Sequence, residues 1–322
     1  MVAEALNLQA RLTRERRFEA AFRGVSTVCA LLVLLLLGGI IVSLTHDSWP
    51  ALKTFGWSFL TTQRWNPVTE KFGALAALYG TVITSVIAML LAVPVSFGIA
   101  VFLTETCPTR LRAPISTAIE LLASIPSIVF GLWGLFVLAP ILQSSIQPWL
   151  IAHLGTIPGA GFLFQGPPFG IGLLSAGLVL AIMVLPFITS VMREVFSITP
   201  VPLKEAAYGM GATQWEVVTG VVIPWSRPGI IGGLMLGLGR ALGETMAVTF
   251  VVGNAHRITG SLLAPGTTIS ASIANEFTEA VGDLYTSALI ALGLVLFLIT
   301  FIVIASARLM LLRLESGAGA RE

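Results

Sequence analysis

The sequence predicts an all-α membrane protein of six transmembrane helices, and three observations predict it. Hydrophobic residues make up 56% of the 322-residue chain and charged residues 11%, whereas soluble domains carry about 25% charge. Mean hydropathy is +0.92, too apolar for a surface that faces water. Long stretches nearly free of charge reach the ~20 residues that a helix needs to cross the hydrocarbon core.

Six such stretches are expected as spans: residues 25–44, 74–103, 119–142, 169–192, 229–252 and 284–311. The second and sixth exceed a minimal span, so they are expected to tilt or to run past the core. Arg11, Arg14, Arg16, Arg17 and Arg23 precede the first. That run is longer than the apolar region of a signal peptide and no A-x-A site follows it, so it reads as an uncleaved first span behind a basic segment, 1–24.

Lys and Arg set the orientation. With the N-terminus in the cytoplasm, the inside segments hold Arg11, Arg14, Arg16, Arg17, Arg23, Arg110, Arg112, Arg193, Lys204, Arg227, Arg308, Arg313 and Arg321, thirteen in all. The outside segments hold four, Lys53, Arg64, Lys71 and Arg257, and Arg240 lies within a span. Both termini are therefore expected in the cytoplasm, the second as a short tail, 312–322. Outside, segment 45–73 carries Trp49, Phe55, Trp57, Phe59 and Trp65, residue types suited to the membrane–water interface. Segments 144–168 and 253–283 read as loops with interfacial helices. Inside, segment 193–228 has Pro200 and Pro202 ahead of good helix formers, then Gly209 and Gly211, with Pro224 and Pro228 closing it. It is expected to form one or two short helices on the membrane surface.

Several chemistries are excluded. A P-loop needs a lysine directly after a glycine; the three lysines, Lys53, Lys71 and Lys204, have none before them. No G-x-S-x-G or H-E-x-x-H occurs. Cys29 and Cys107, and His46, His153 and His256, are too scattered to suggest a disulfide or a metal site; the histidines read as polar loop residues. The chain is thus expected to be a non-catalytic membrane subunit without a cofactor of its own.

Charge inside a span is costly, at least ~2.5–3.5 kcal/mol for each residue. Arg240 and Glu244 are such charges, in the run Gly239-Arg240-Ala241-Leu242-Gly243-Glu244-Thr245. On a continuous helix their spacing puts them on one face, about 5–6 Å apart at Cβ. They are expected either to pair and lock helices, or to put a guanidinium fork suited to an oxyanion on a permeation path. Gly229, Gly232, Gly233, Gly237, Gly239 and Gly243 crowd the same helix, a signal of close helix approach. In the third span Pro126 cannot donate to the Leu122 carbonyl, so a kink is expected there. Ser124 and Ser127 are placed either to satisfy freed backbone groups or, with Pro126, to line a path.

Glu205-Ala206-Ala207, then Gly211, then Val221-Val222-Ile223-Pro224 resembles the EAA signature of ABC importer permeases, E-A-A-x3-G-x9-I-x-L-P, with Val221 for Ile and Ile223 for Leu. Segments 65–79, 124–131 and 239–248 resemble the PstC-type permease subunits of bacterial phosphate importers, and the likeness extends over about residues 59–308. The resemblance implies a type I ABC importer permease bundle in a bacterial plasma membrane, with a permease core over 74–311. It implies a coupling helix at Glu205, Ala206, Ala207 and Gly211 for a separate ATPase that binds ATP and Mg²⁺. It also implies a second, PstA-like permease, two PstB-like ATPases and an extracytoplasmic PstS-like phosphate-binding protein; nothing implies nucleic acid. By the same likeness Arg240 and Glu244, and more weakly Ser127, lie on the substrate path. The rival readings are a permease for sulfate or molybdate, and a secondary transporter driven by an ion gradient.

Overall fold

The computed structural model describes the backbone of residues 2–318 and the side chains of residues 18–309 and 312. The side chains of Arg11, Arg14, Arg16, Arg17, Arg313 and Arg321 lie outside these described residues. The principal helices are α1 (Val2–Phe55), α2 (Leu75–Thr106), α3 (Thr109–Ala123), α4 (Ser127–His153), α5 (Leu173–Ser197), α6 (Val201–Gly209), α7 (Gln214–Gly243), α8 (Met246–Thr249), α9 (Ile269–Glu276) and α10 (Asp283–Ala318). Six of them, α1, α2, α4, α5, α7 and α10, are long and apolar enough to cross a membrane, as expected. Among the described residues the β-pairing is confined to one isolated bridge, Asn66 with Lys71.

The bundle is built around α5. Leu180, Val184, Ile188, Met192 and Phe196 recur every fourth residue and all are fully buried, so one continuous apolar stripe of α5 is enclosed. Helix α7 runs antiparallel against it through the expected glycines. A Cβ added at Gly229, Gly233 or Gly237 would lie within 3 Å of Val195, Val191 or Ile188 respectively. Only hydrogen fits between these helices, as a small-residue stripe requires. Gly232 and Gly243 face open space and take no part.

A second apolar cluster, around Phe59, Phe72, Ala51, Leu289 and Leu292, ties the end of α1 and the segment after it to α10. Of the aromatics expected at the interface, Trp49 and Trp57 are exposed, whereas Phe59 is fully buried and Phe55 and Trp65 pack onto this cluster. Tertiary packing here outweighs the interfacial preference. From Phe18 to this point the described side chains of α1 are mostly exposed.

Two spans begin elsewhere than expected, and proline explains both. The chain does not kink at Pro126 but breaks: α3 ends at Ala123 and α4 starts at Ser127, with Pro126 as its extended N-cap. A missing N–H costs nothing at that position. The third span therefore reaches His153, into the segment expected as a loop. Conversely, Pro224 and Pro228 do not stop the chain. Pro224 lies in the first turn after a π-helical turn, Val218–Val222, and Pro228 lies within the helix. The fifth span accordingly starts at Gln214 and ends at Gly243.

Candidate functional site

Arg240 and Glu244 lie where α7 stops. Arg240 is in its last turn, and Glu244 follows the helix in extended conformation, with φ −69° and ψ 130°. The i, i+4 geometry of a continuous helix is lost, and the two charges form no ion pair among the described residues. Arg240 is exposed, its guanidinium 5.2 Å from the centroid of the Phe187 ring on α5, a cation–π distance. The Glu244 carboxylate accepts from the Ala247 amide at 3.4 Å at the start of α8, where a negative charge is favoured. Its carbonyl accepts from the Ser270 hydroxyl of α9 at 2.7 Å.

This break faces the one at Pro126. A methyl added at Gly131 would come within 3.0 Å of the Met246 carbonyl oxygen and 3.1 Å of Ala247 Cα. The first turns of α4 and the turn after Glu244 are thus in backbone contact, and Gly131 is the residue that permits it. Ser124 donates to the Leu121 carbonyl at 2.7 Å and so satisfies a carbonyl at the end of α3. Ser127, half-buried, makes no hydrogen bond through its hydroxyl among the described residues. The structure therefore brings Gly131, one turn after Ser127, against the turn that follows Glu244 and leaves Arg240 without a carboxylate partner among the described residues.

The Glu205–Gly211 segment folds as a single surface helix and its exit turn. Pro200 caps α6, Ala207 is buried, and Glu205, Ala206 and Gly211 are exposed. Gly211 has φ +88°, the left-handed region where glycine carries no penalty. Thr213 then opens α7 with a capping box to Glu216. Met210 and Trp215 are strongly exposed beside it, at 85% and 71%. Lys204 clamps α6 to the end of α2 by donating to Glu105 at 2.5 Å, and Gln214 donates to the Glu105 carbonyl at 2.8 Å. The pairing of Lys204 with Glu105 spans 99 residues, and no sequence signal announces it.

The reading of His256 as a plain loop residue needs correction. Its Nε2 lies 2.7 Å from Glu276 Oε1, and its ring stacks on Trp65 with centroids 5.2 Å apart. Trp65 Nε1 and the Tyr285 hydroxyl each donate to Glu276 Oε2 at 2.6 Å. Burial works to raise the Glu276 carboxyl, but the hydrogen bonds from His256, Tyr285 and Trp65 outweigh it and hold it below the usual glutamate value.

Residues 96–316 match the family model described as "Binding-protein-dependent transport system inner membrane component". The chain is 64% identical over 308 residues to the phosphate transport system permease protein PstC of Mesorhizobium japonicum, covering 95% of this chain and 94% of that one. The chain belongs to the PstC permease family. The Pasteurella multocida PstC is 55% identical over 301 residues, covering 94% of both chains. Among solved structures, an ABC transporter that imports the acidic polysaccharide alginate aligns with TM-score 0.57 at 19% identity, over 88% of this chain and 95% of that one. The methionine transporter MetNI aligns with TM-score 0.53 at 16% identity, over 73% and 93%. At such identities these two show the fold of an ABC importer permease and nothing finer. As a PstC-family permease, the chain is a multi-pass inner-membrane component.

Proposed function

We propose that this chain is the permease subunit of an ATP-driven importer of inorganic phosphate, forming half of the translocation pathway. The observation that carries the reading is the exposed Arg240 guanidinium, free of any carboxylate among the described residues, at the end of a helix in a chain whose PstC relatives match it almost end to end. A permanently charged fork of donors suits a tetrahedral oxyanion. Phe187 supports the guanidinium while leaving its N–H groups available. Glu244, just beyond, lowers the local positive potential, so that the anion passes rather than stays. Ser127 adds a hydroxyl at the facing break, and Pro126 keeps that break open.

Energy would come from elsewhere. In this reading the exposed face of Glu205, Ala206 and Gly211, flanked by Met210 and Trp215, seats in one of two PstB-like ATPases that bind ATP and Mg²⁺. A PstA-like permease would complete the pathway, and a PstS-like protein would deliver phosphate from outside. The excess of Lys and Arg on the segments that share a side with the N-terminus supports a cytoplasmic location for both termini. Sulfate or molybdate shares the oxyanion chemistry and is the alternative cargo.

The test is reconstitution of the chain with these partners in vesicles, followed by uptake of labelled phosphate, sulfate and molybdate with and without ATP. ATP-dependent phosphate uptake is expected. Uptake without the ATPase overturns the coupling, and a preference for sulfate or molybdate overturns the cargo.

A further inference from the structure

A cavity of about 420 Å³ lies where the ends of α2 and α5 meet α3 and α6. Arg112, Arg193, Lys204, Ser116, Ser197 and Thr104 line it; neither Arg240 nor Glu244 does. We propose that it binds a phosphate-type oxyanion, supplied by an anionic phospholipid headgroup or by free inorganic phosphate.

The charges support an anion. Arg193 donates to Glu120 at 2.8 Å, and Lys204 is paired with Glu105. Arg112 has no carboxylate partner among the described residues; its Nη2 donates to the Thr104 carbonyl at 3.0 Å. A guanidinium carries five N–H donors, so Arg112 and Arg193 each keep several for a ligand. The one carboxylate lining the cavity, Glu194, is exposed, as Arg112 is, so solvent screens the two alike and the lining keeps more cations than carboxylates.

Ser116 supplies an independent indication. It is 9% exposed, lines the cavity, and its hydroxyl has no hydrogen-bond partner among the described residues. That hydroxyl opens onto the cavity, where an oxyanion accepting from Ser116 and from both guanidinium forks would complete the site. Basic pockets between membrane helices at the cytoplasmic side bind anionic headgroups by this chemistry. The volume suits a phosphate with or without its glycerol. Val201 and Lys204 belong to α6, so the ligand would bridge the bundle to that helix and stiffen the turn between α5 and α6.

Hydrogen–deuterium exchange on the full chain in nanodiscs tests this. One arm uses phosphatidylcholine alone, a second adds phosphatidylglycerol, and a third adds millimolar inorganic phosphate to phosphatidylcholine. Amides of residues 198–204 are expected to exchange about fivefold more slowly in at least one anionic arm, and Arg112→Gln and Ser116→Ala are expected to abolish or reduce that slowing. Slowing with phosphatidylglycerol alone assigns the headgroup, slowing with phosphate alone assigns the free ion, and slowing in both supports a general oxyanion site. Unchanged exchange of residues 180–196 verifies that each variant is folded; where Arg112→Gln fails it, Ser116→Ala decides. No slowing in either arm, or slowing undiminished in the folded variants, overturns the proposal.

Discussion

Two sets of charged residues in this apolar chain are treated differently by the fold. The Glu276 carboxylate, between α9 and α10, receives three hydrogen bonds of 2.6–2.7 Å from Trp65, His256 and Tyr285. Arg240 and Glu244, at the end of α7, are near in sequence yet form no ion pair among the described residues, one over a ring and the other at the start of a short helix. A charge whose partners are all present works for the structure. A charge held in a costly place with donors to spare is, in the proposed function, available to something that passes. On that proposal the difference separates a clasp from a path.

The largest effect should come from cutting the clasp. Glu276→Ala leaves three half-buried donors without an acceptor, a loss of about 1–3 kcal/mol, read as a lower thermal midpoint of the purified chain. A midpoint equal to wild type would dissolve the contrast. Next, Arg240→Gln should leave that midpoint almost unchanged while phosphate uptake falls about tenfold or more, roughly 1.4 kcal/mol of lost stabilisation. Intact uptake in a well-assembled complex would remove Arg240 from the path.

Acid sharpens the comparison further. The Glu276 carboxyl is depressed in the folded chain, so its contribution is complete above the ordinary glutamate value of ~4.3 and is lost as pH falls through the lower folded value. The thermal midpoint should therefore drop on acidification below about pH 4.3, and Glu276→Gln should flatten that part of the profile. The smallest effect belongs to Glu244→Gln. It weakens one contact with the Ala247 amide and should cost less than about 1 kcal/mol of stability, so any larger change in uptake than in midpoint marks Glu244 as part of the path.

Much of this was legible in the residues in order. Gly229, Gly233 and Gly237 announce the close face of α7 because their spacing is that of a helix side, and α5 meets them there. Gly211 announces its turn because only glycine adopts φ +88° without penalty. Pro126 was legible as a disturbance, but not as a full break, since a kink and an N-cap both follow from a missing N–H. Arg240 and Glu244 were legible as charges, but their pairing was not, because it depends on whether the helix continues past Gly243.

The sequence by itself determined the membrane class, the six spans and the small-residue face. These depend on local composition and on the periodicity of a helix in a medium without water. Tertiary structure alone decided that Trp65 donates a hydrogen bond to Glu276, 211 residues away, that Lys204 holds Glu105, and that Arg240 has no carboxylate partner among the described residues. Those outcomes depend on which helix ends come together in space, and that is set by packing around α5 and, for Glu276, by the cluster that ties α1 to α10.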